Sequence, residues 1–188
     1  MKRIVAGVAM VVALVAPAGV AAQGHEGHDT GHDAMHATPP SSGVRAELIR
    51  DLESLESKYT GLAAAMTGHF GWRPAEGVRS VGEVFGHVAG ANFMFPSFVG
   101  ASMPEGMTMQ DLQGLEGSGD DARIVQAMEH SFMHLRHAIA QVPDEELDAM
   151  TRMFGQEVTK RVALSTAVTH LHEHLGQAIA YARMNGVT

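Results

Sequence analysis

Residues 157–184 read EVTKRVALSTAVTHLHEHLGQAIAYARM. Leu164, Ala167, Val168, Leu171, Leu175 and Ala178 recur there at steps of three and four, the period of a helix with one face in a core. At about 100° per residue they spread over about 60° to 160° from His170. Asn185-Gly186 supplies a stop. A single stripe on so long a helix needs other elements to cover it.

Those elements are found upstream. Val44, Leu48, Leu52, Leu55, Tyr59, Leu62 and Met66 mark a first amphipathic helix, ended by Gly68, Gly71 and Pro74. Ser80-Val81-Gly82-Glu83 is a capping box that opens a second helix. Its core stripe is Val81, Val84, Phe85, Val88 and Phe95, and Pro96 marks its end. A third helix begins near Asp120 or Asp121 and runs to about Gln141, with Ile124, Met128, Phe132, Leu135 and Ile139 facing inward and Pro143 as its stop. Residues 97–119 hold Pro104 and five glycines and have little periodicity. They read as a long crossover that spans the bundle or covers a site. No stretch alternates like a strand. The predicted fold is all-α: a four-helix bundle over residues 43–188, with the long crossover between helices 2 and 3.

The N-terminus has the order of a secretory signal. Lys2 and Arg3 precede an apolar run from Ile4 to Val15, and Val20-Ala21-Ala22 offers small residues for cleavage before Gln23. Pro17 and Gly19 interrupt the run, which is short for a membrane span. Residues 1–22 are therefore expected to be a signal peptide, and the product periplasmic or secreted with no stable membrane anchor. Residues 23–42, QGHEGHDTGHDAMHATPPSS, are expected to form a flexible His-rich linker.

Composition narrows the chemistry. The formal charge is −8 and no Lys/Arg cluster is present, so nucleic acid is not an expected partner. The chain has no cysteine, which excludes disulfides and thiol nucleophiles. Any metal must be held by His, Asp, Glu or Met.

Twelve histidines are too many to share one role. His25, His28, His32 and His36 sit in the linker and could capture metal loosely. His130, His134 and His137 fall about 220° to 280° from Ile124, opposite an apolar face near 40°, and read as surface residues. His170 and His174 sit at 0° and about 40°, on the edge of the last helix's stripe. Two neutral imidazoles at that spacing can reach one ion, or can be half-buried with ordinary hydrogen bonds. His172, near 200°, should face away. A zinc-protease motif needs Glu directly after its first ligand; Leu171 follows His170, and Gly176 lies where the motif beginning at His172 needs its second His. An open catalytic-type site needs a third ligand. His87, one turn after Glu83, is the candidate; Glu83 itself reads as the cap. Asn92 and Gln177 are candidate supports for the ligands.

Two segments carry a resemblance. Gly71-Trp72-Arg73-Pro74-Ala75-Glu76-Gly77-Val78-Arg79-Ser80-Val81-Gly82-Glu83-Val84-Phe85-Gly86-His87 resembles the entry to helix two in the DinB/YfiT-like proteins. The segment from His170 to Gln177, followed by Ala180-Tyr181-Ala182-Arg183-Met184-Asn185-Gly186, resembles their last helix, with its His-x-x-x-His pair and Gly-Gln. The resemblance covers residues 43–188. It implies a four-helix bundle with a long crossover and a three-histidine metal site, here His87, His170 and His174. It also implies a divalent ion, commonly zinc or nickel, and an activity such as thiol-dependent transfer or isomerisation. Export sets this chain apart, since cytosolic thiol cofactors are scarce outside the membrane.

Two functional readings follow. One is a metal-dependent enzyme of transferase- or hydrolase-type chemistry on a small molecule, with Glu173 as candidate proton shuttle although its angle near 300° points to solvent. The other is a non-catalytic periplasmic metal buffer that uses the His tract and Met94, Met103, Met107 and Met109, a donor set suited to copper. Those methionines serve equally as packing for the crossover.

Overall fold

The structure, a computed structural model, describes residues 40–188. The signal segment and linker residues 23–39 lie outside the described residues. Helix α1 spans Gly43–Ala65, α2 Val81–Met94, α3 Met109–Glu116, α4 Asp121–Gln141 and α5 Lys160–Met184. A two-stranded antiparallel hairpin, β1 Met150–Met153 and β2 Gln156–Thr159, precedes α5. The four long helices form the expected bundle. No helix among the described residues is long and apolar enough to cross a membrane.

Helix α2 lies at the centre. Eleven of its fourteen residues are buried, so neighbours surround it on nearly every side. Only Glu83, His87 and Met94 keep some exposure. Its start is the predicted capping box: the Glu83 backbone N–H donates to Ser80 Oγ, and the Ser80 N–H donates to Glu83 Oε2 at 2.7 Å. Arg73 also reaches Glu83 at 2.8 Å. Glu83 is thus committed to the helix start and is not beside the metal-type histidines.

The core is a contiguous aromatic and aliphatic cluster. Tyr59, Phe85 and Phe132 are fully buried and meet at ring centroid distances of 6.3 Å and 5.7 Å around Tyr59. The Tyr59 hydroxyl donates to the Leu171 carbonyl at 2.8 Å, which ties α1 to α5 one residue beyond His170. Burial pushes the phenol's pKa well above its ordinary value, so the hydroxyl keeps its proton and donates.

The fold departs from the sequence-based expectation in four places. First, the crossover is not structureless. After α2 it makes a tight helical turn, Phe95–Val99, and then forms α3. The signal for α3 was Thr108-x-x-Asp111, a second capping box whose donors are both satisfied. With only Leu112 and Leu115 to bury, it was too short to show a period. Second, residues 150–159 form strands although no strand was expected. Each is four residues long, too short for alternation to register, and the tip residues Phe154 and Gly155 both have positive φ (49° and 83°). Third, α5 begins at Lys160 rather than near 157, because the Thr159 side chain caps it and residues 156–159 pair in the hairpin. Fourth, His134 is not a plain surface residue: it is half-buried against Phe93, 5.7 Å between rings, while His130 and His137 are exposed as expected.

Helix α3 packs on α2 through glycine. A Cβ at Gly86 would lie 2.3 Å from the Leu115 carbonyl oxygen, closer than any real contact. We expect Gly86→Ala to destabilise the protein by about 1–3 kcal/mol by overpacking this backbone contact. Gly114→Ala, on α3 with open space around it, should instead leave stability unchanged or raise it by about 0.5–1 kcal/mol. Urea denaturation midpoints of the two variants check this; equal midpoints would show that the helices are not in backbone contact.

Candidate metal centre

His87 stands one turn beyond the α2 cap, on the helix's narrow exposed edge. His170 and His174 stand one turn apart on α5. The three rings converge: their centroids are 5.2 Å apart for His87–His170, 4.8 Å for His87–His174 and 4.6 Å for His170–His174. One nitrogen from each lies within 4.8 Å of the others. The Nε2 atoms of His87 and His170 are 3.2 Å apart. Two nitrogens at about 2.0–2.1 Å from a tetrahedral ion sit about 3.3–3.4 Å from each other, so this spacing is close to one edge of such a site.

Neighbouring groups fix which nitrogen carries the proton. His87 Nδ1 lies 3.1 Å from Glu116 Oε2. A carboxylate only accepts, so Nδ1 donates and Nε2 is left with its lone pair. His174 Nδ1 donates to Gln177 Oε1 at 2.9 Å, and the Gln177 amide in turn donates to the Tyr181 hydroxyl at 2.9 Å. This again leaves Nε2 free. His170 Nδ1 is buried and has no hydrogen-bond partner among the described residues.

The electrostatics favour the neutral form of His87 and His170. Burial lowers the pKa of His170 to about 4, helped by His174 and His87 beside it. Burial and the Arg79 charge lower that of His87, against an opposing pull from Glu116. For Glu116, burial opposes ionisation, but Arg79 at 2.6 Å and His87 more than offset it, so its carboxyl titrates below the usual range. The centre is therefore a set of imidazole lone pairs with an ionised carboxylate behind one of them. Such a donor set fits a divalent cation.

Of the residues singled out in the sequence, the structure brings His87, His170 and His174 together and sets Gln177 behind His174. His172 is exposed and pairs with Asp51 of α1 at 2.9 Å. Asn92 does not support the site: it is fully buried and donates to Ser131 Oγ at 3.2 Å. Its position on the buried side of α2, where solvent cannot satisfy an amide, gave it a core partner on α4 instead. Glu173 is exposed, as expected, yet lines the cavity beside His170. Met94 and Met109 also line that cavity, whereas Met103 and Met107 pack on the core. Glu116 was missed. It belongs to α3, and only the Thr108 capping box hinted that a helix there could aim a carboxylate.

A cavity of about 620 Å³ opens on His87 and His170. Its walls come from α2, α3, the start of α5 and the hairpin tip. Lone pairs on the wall of such an open cavity can present an ion to a small molecule.

The comparisons with known proteins bear on the fold and the family. Residues 51–178 match the family model of the DinB superfamily. The crystal structure of YjoA, a DinB-like protein from Bacillus subtilis, is similar with a TM-score of 0.55 and 25% sequence identity, over 76% of this chain and 93% of that one. No curated protein matches the chain.

The lowered histidine pKa values set a pH dependence for the metal-free protein. Unfolded, His170 takes up its proton near the ordinary 6.5; folded, only near about 4. Between these values the unfolded chain binds more protons, so stability is complete above about 6.5 and declines as pH falls toward about 4. His87 acts in the same direction. Urea midpoints measured across that window should fall with pH, and His170→Gln should flatten the fall. A midpoint independent of pH, or a slope untouched by His170→Gln, would contradict neutral, desolvated rings.

Proposed function

This chain belongs to the DinB superfamily, and from that premise we propose that it is an exported metal-dependent enzyme acting on a small molecule. It would hold one divalent ion, zinc or nickel, on His87, His170 and His174, and carry out transferase- or hydrolase-type chemistry. One observation carries the reading: three imidazoles from two helices converge, with two lone pairs fixed by their hydrogen bonds, and two of the three, His87 and His170, line a cavity of about 620 Å³.

Each residue has a part. Glu116 orients His87 and raises the donor strength of its Nε2, and Arg79 keeps that carboxylate ionised. Gln177 and Tyr181 orient His174. An ion held by these three residues would supply Lewis acidity. Glu173, on the cavity wall beside His170, is the candidate to take a proton from bound substrate. The signal-like N-terminus supports export, because Lys2, Arg3, the apolar run and Val20-Ala21-Ala22 stand in the order that secretion requires.

Metal analysis of the purified protein tests this. One ion per chain is expected, lost in His170→Ala/His174→Ala and retained when residues 23–42 are deleted. Glu116→Gln should weaken affinity by about 10–100-fold, measured by chelator competition. Protein that refuses every transition metal offered would end the reading. Capacity for several ions, lost with residues 23–42, would favour a metal buffer instead.

A further inference from the structure

The cavity beside the histidines has a charge pattern that restricts what it can hold. Its inner walls are Met94, Phe95 and Leu112. Met109, Phe154 and Val162 stand at its mouth, 50%, 57% and 45% exposed, and are three of the most exposed large apolar side chains among the described residues. Phe154 is kept there at local cost. It occupies a left-handed φ of 49° at the hairpin tip, a conformation that favours Asn or Gly, and packs edge-on against Phe95 and Phe98.

The charged groups of the lining are carboxylates, and its remaining donors, on Gln113 and Ser165, are neutral. No lysine or arginine is among the lining residues. The Thr166 hydroxyl donates to the Val162 carbonyl and that of Thr169 to the Ser165 carbonyl, so both protons are spent within α5. Glu116 and Glu173 add carboxylates. A carboxylate or phosphate on a ligand would leave water for a wall without cations, an uncompensated cost. The histidine end is the exception when an ion is held there.

We propose that this cavity binds a largely apolar small molecule with no negative charge away from the histidines, an amine or a neutral compound rather than an acid. As a substrate class this rests on the metal-enzyme reading; as a binding preference it does not. It argues against acidic thiol cofactors as the second reactant, since their carboxylates would lie against this wall.

The test uses chelator-treated protein, with ¹³C-labelled methionine methyls at Met94 and Met109 as reporters. Octanol, octylamine and octanoate, equal in chain length, serve as probes. Octanol and octylamine should shift both methyls saturably, and octanoate should bind at least about tenfold more weakly. Thr169→Lys, at an exposed wall position, should recover octanoate binding. Phe154→Asn, which suits the turn, should weaken octanol several-fold. Octanoate binding as tightly as octanol, no shift with any probe, or octanol affinity untouched by Phe154→Asn would overturn the proposal. Failure of the metal reading appears separately, as protein that takes no ion yet shows this order of probes.

Discussion

The architecture depends on the enclosure of α2. A helix packed on one face has a broad solvent side on which residues can vary; α2 has only a seam made by Glu83, His87 and Met94. Enclosure requires close neighbours, and the small residues Gly86 and Gly90 let the backbone of α3 lie directly against the helix. The seam that remains ends in a cap at Glu83 and then gives onto the cavity through His87 and Met94. A side chain on this edge is flanked along the helix by buried residues. That gives the rigidity a ligand-holding imidazole needs.

The histidine centre is a compromise between burial and polarity. Desolvation favours the neutral form of His87 and His170, which frees lone pairs but removes the hydration that satisfied their nitrogens. The protein supplies partners on the far side of two rings, through the Arg79–Glu116–His87 and Tyr181–Gln177–His174 chains. Among the described residues none is supplied for His170 Nδ1. On the near side the Nε2 atoms of His87 and His170 lie 3.2 Å apart, a hydrogen bond when His170 carries its proton there and a spacing that suits two ligands of one cation when it does not. Belonging to the DinB superfamily is consistent with this arrangement, and Glu116 shows how much of it comes from outside the four long helices.

Two short insertions turn a plain bundle into one with a site. Helix α3 contributes the carboxylate behind His87 and one cavity wall, and the hairpin contributes Phe154 at the mouth. Neither has enough apolar surface to be stable alone. Each is held by the bundle, α3 through Leu112 and Leu115 and the hairpin through Met153 and the aromatic contacts of Phe154. The Thr151 hydroxyl adds a bond to the Phe98 carbonyl at 2.6 Å.

The sequence alone determined the four long helices, because stripes such as Leu52, Leu55, Tyr59 and Ile124, Met128, Phe132 repeat over enough turns to define a face. It also determined the histidine pair at 170 and 174, since a spacing of four places two rings on one side of any helix. The capping box likewise fixed the start of α2 and with it the place of His87 on that helix. Tertiary structure decided the rest. Whether His87 meets the pair depends on how α2 and α5 are rotated against each other, and the burial of Asn92 against Ser131 depends on how α2 packs on α4. Glu116 and Phe154 lie on elements too short to leave a period, so their positions follow from contacts with residues 29 or more positions away, which no local pattern encodes.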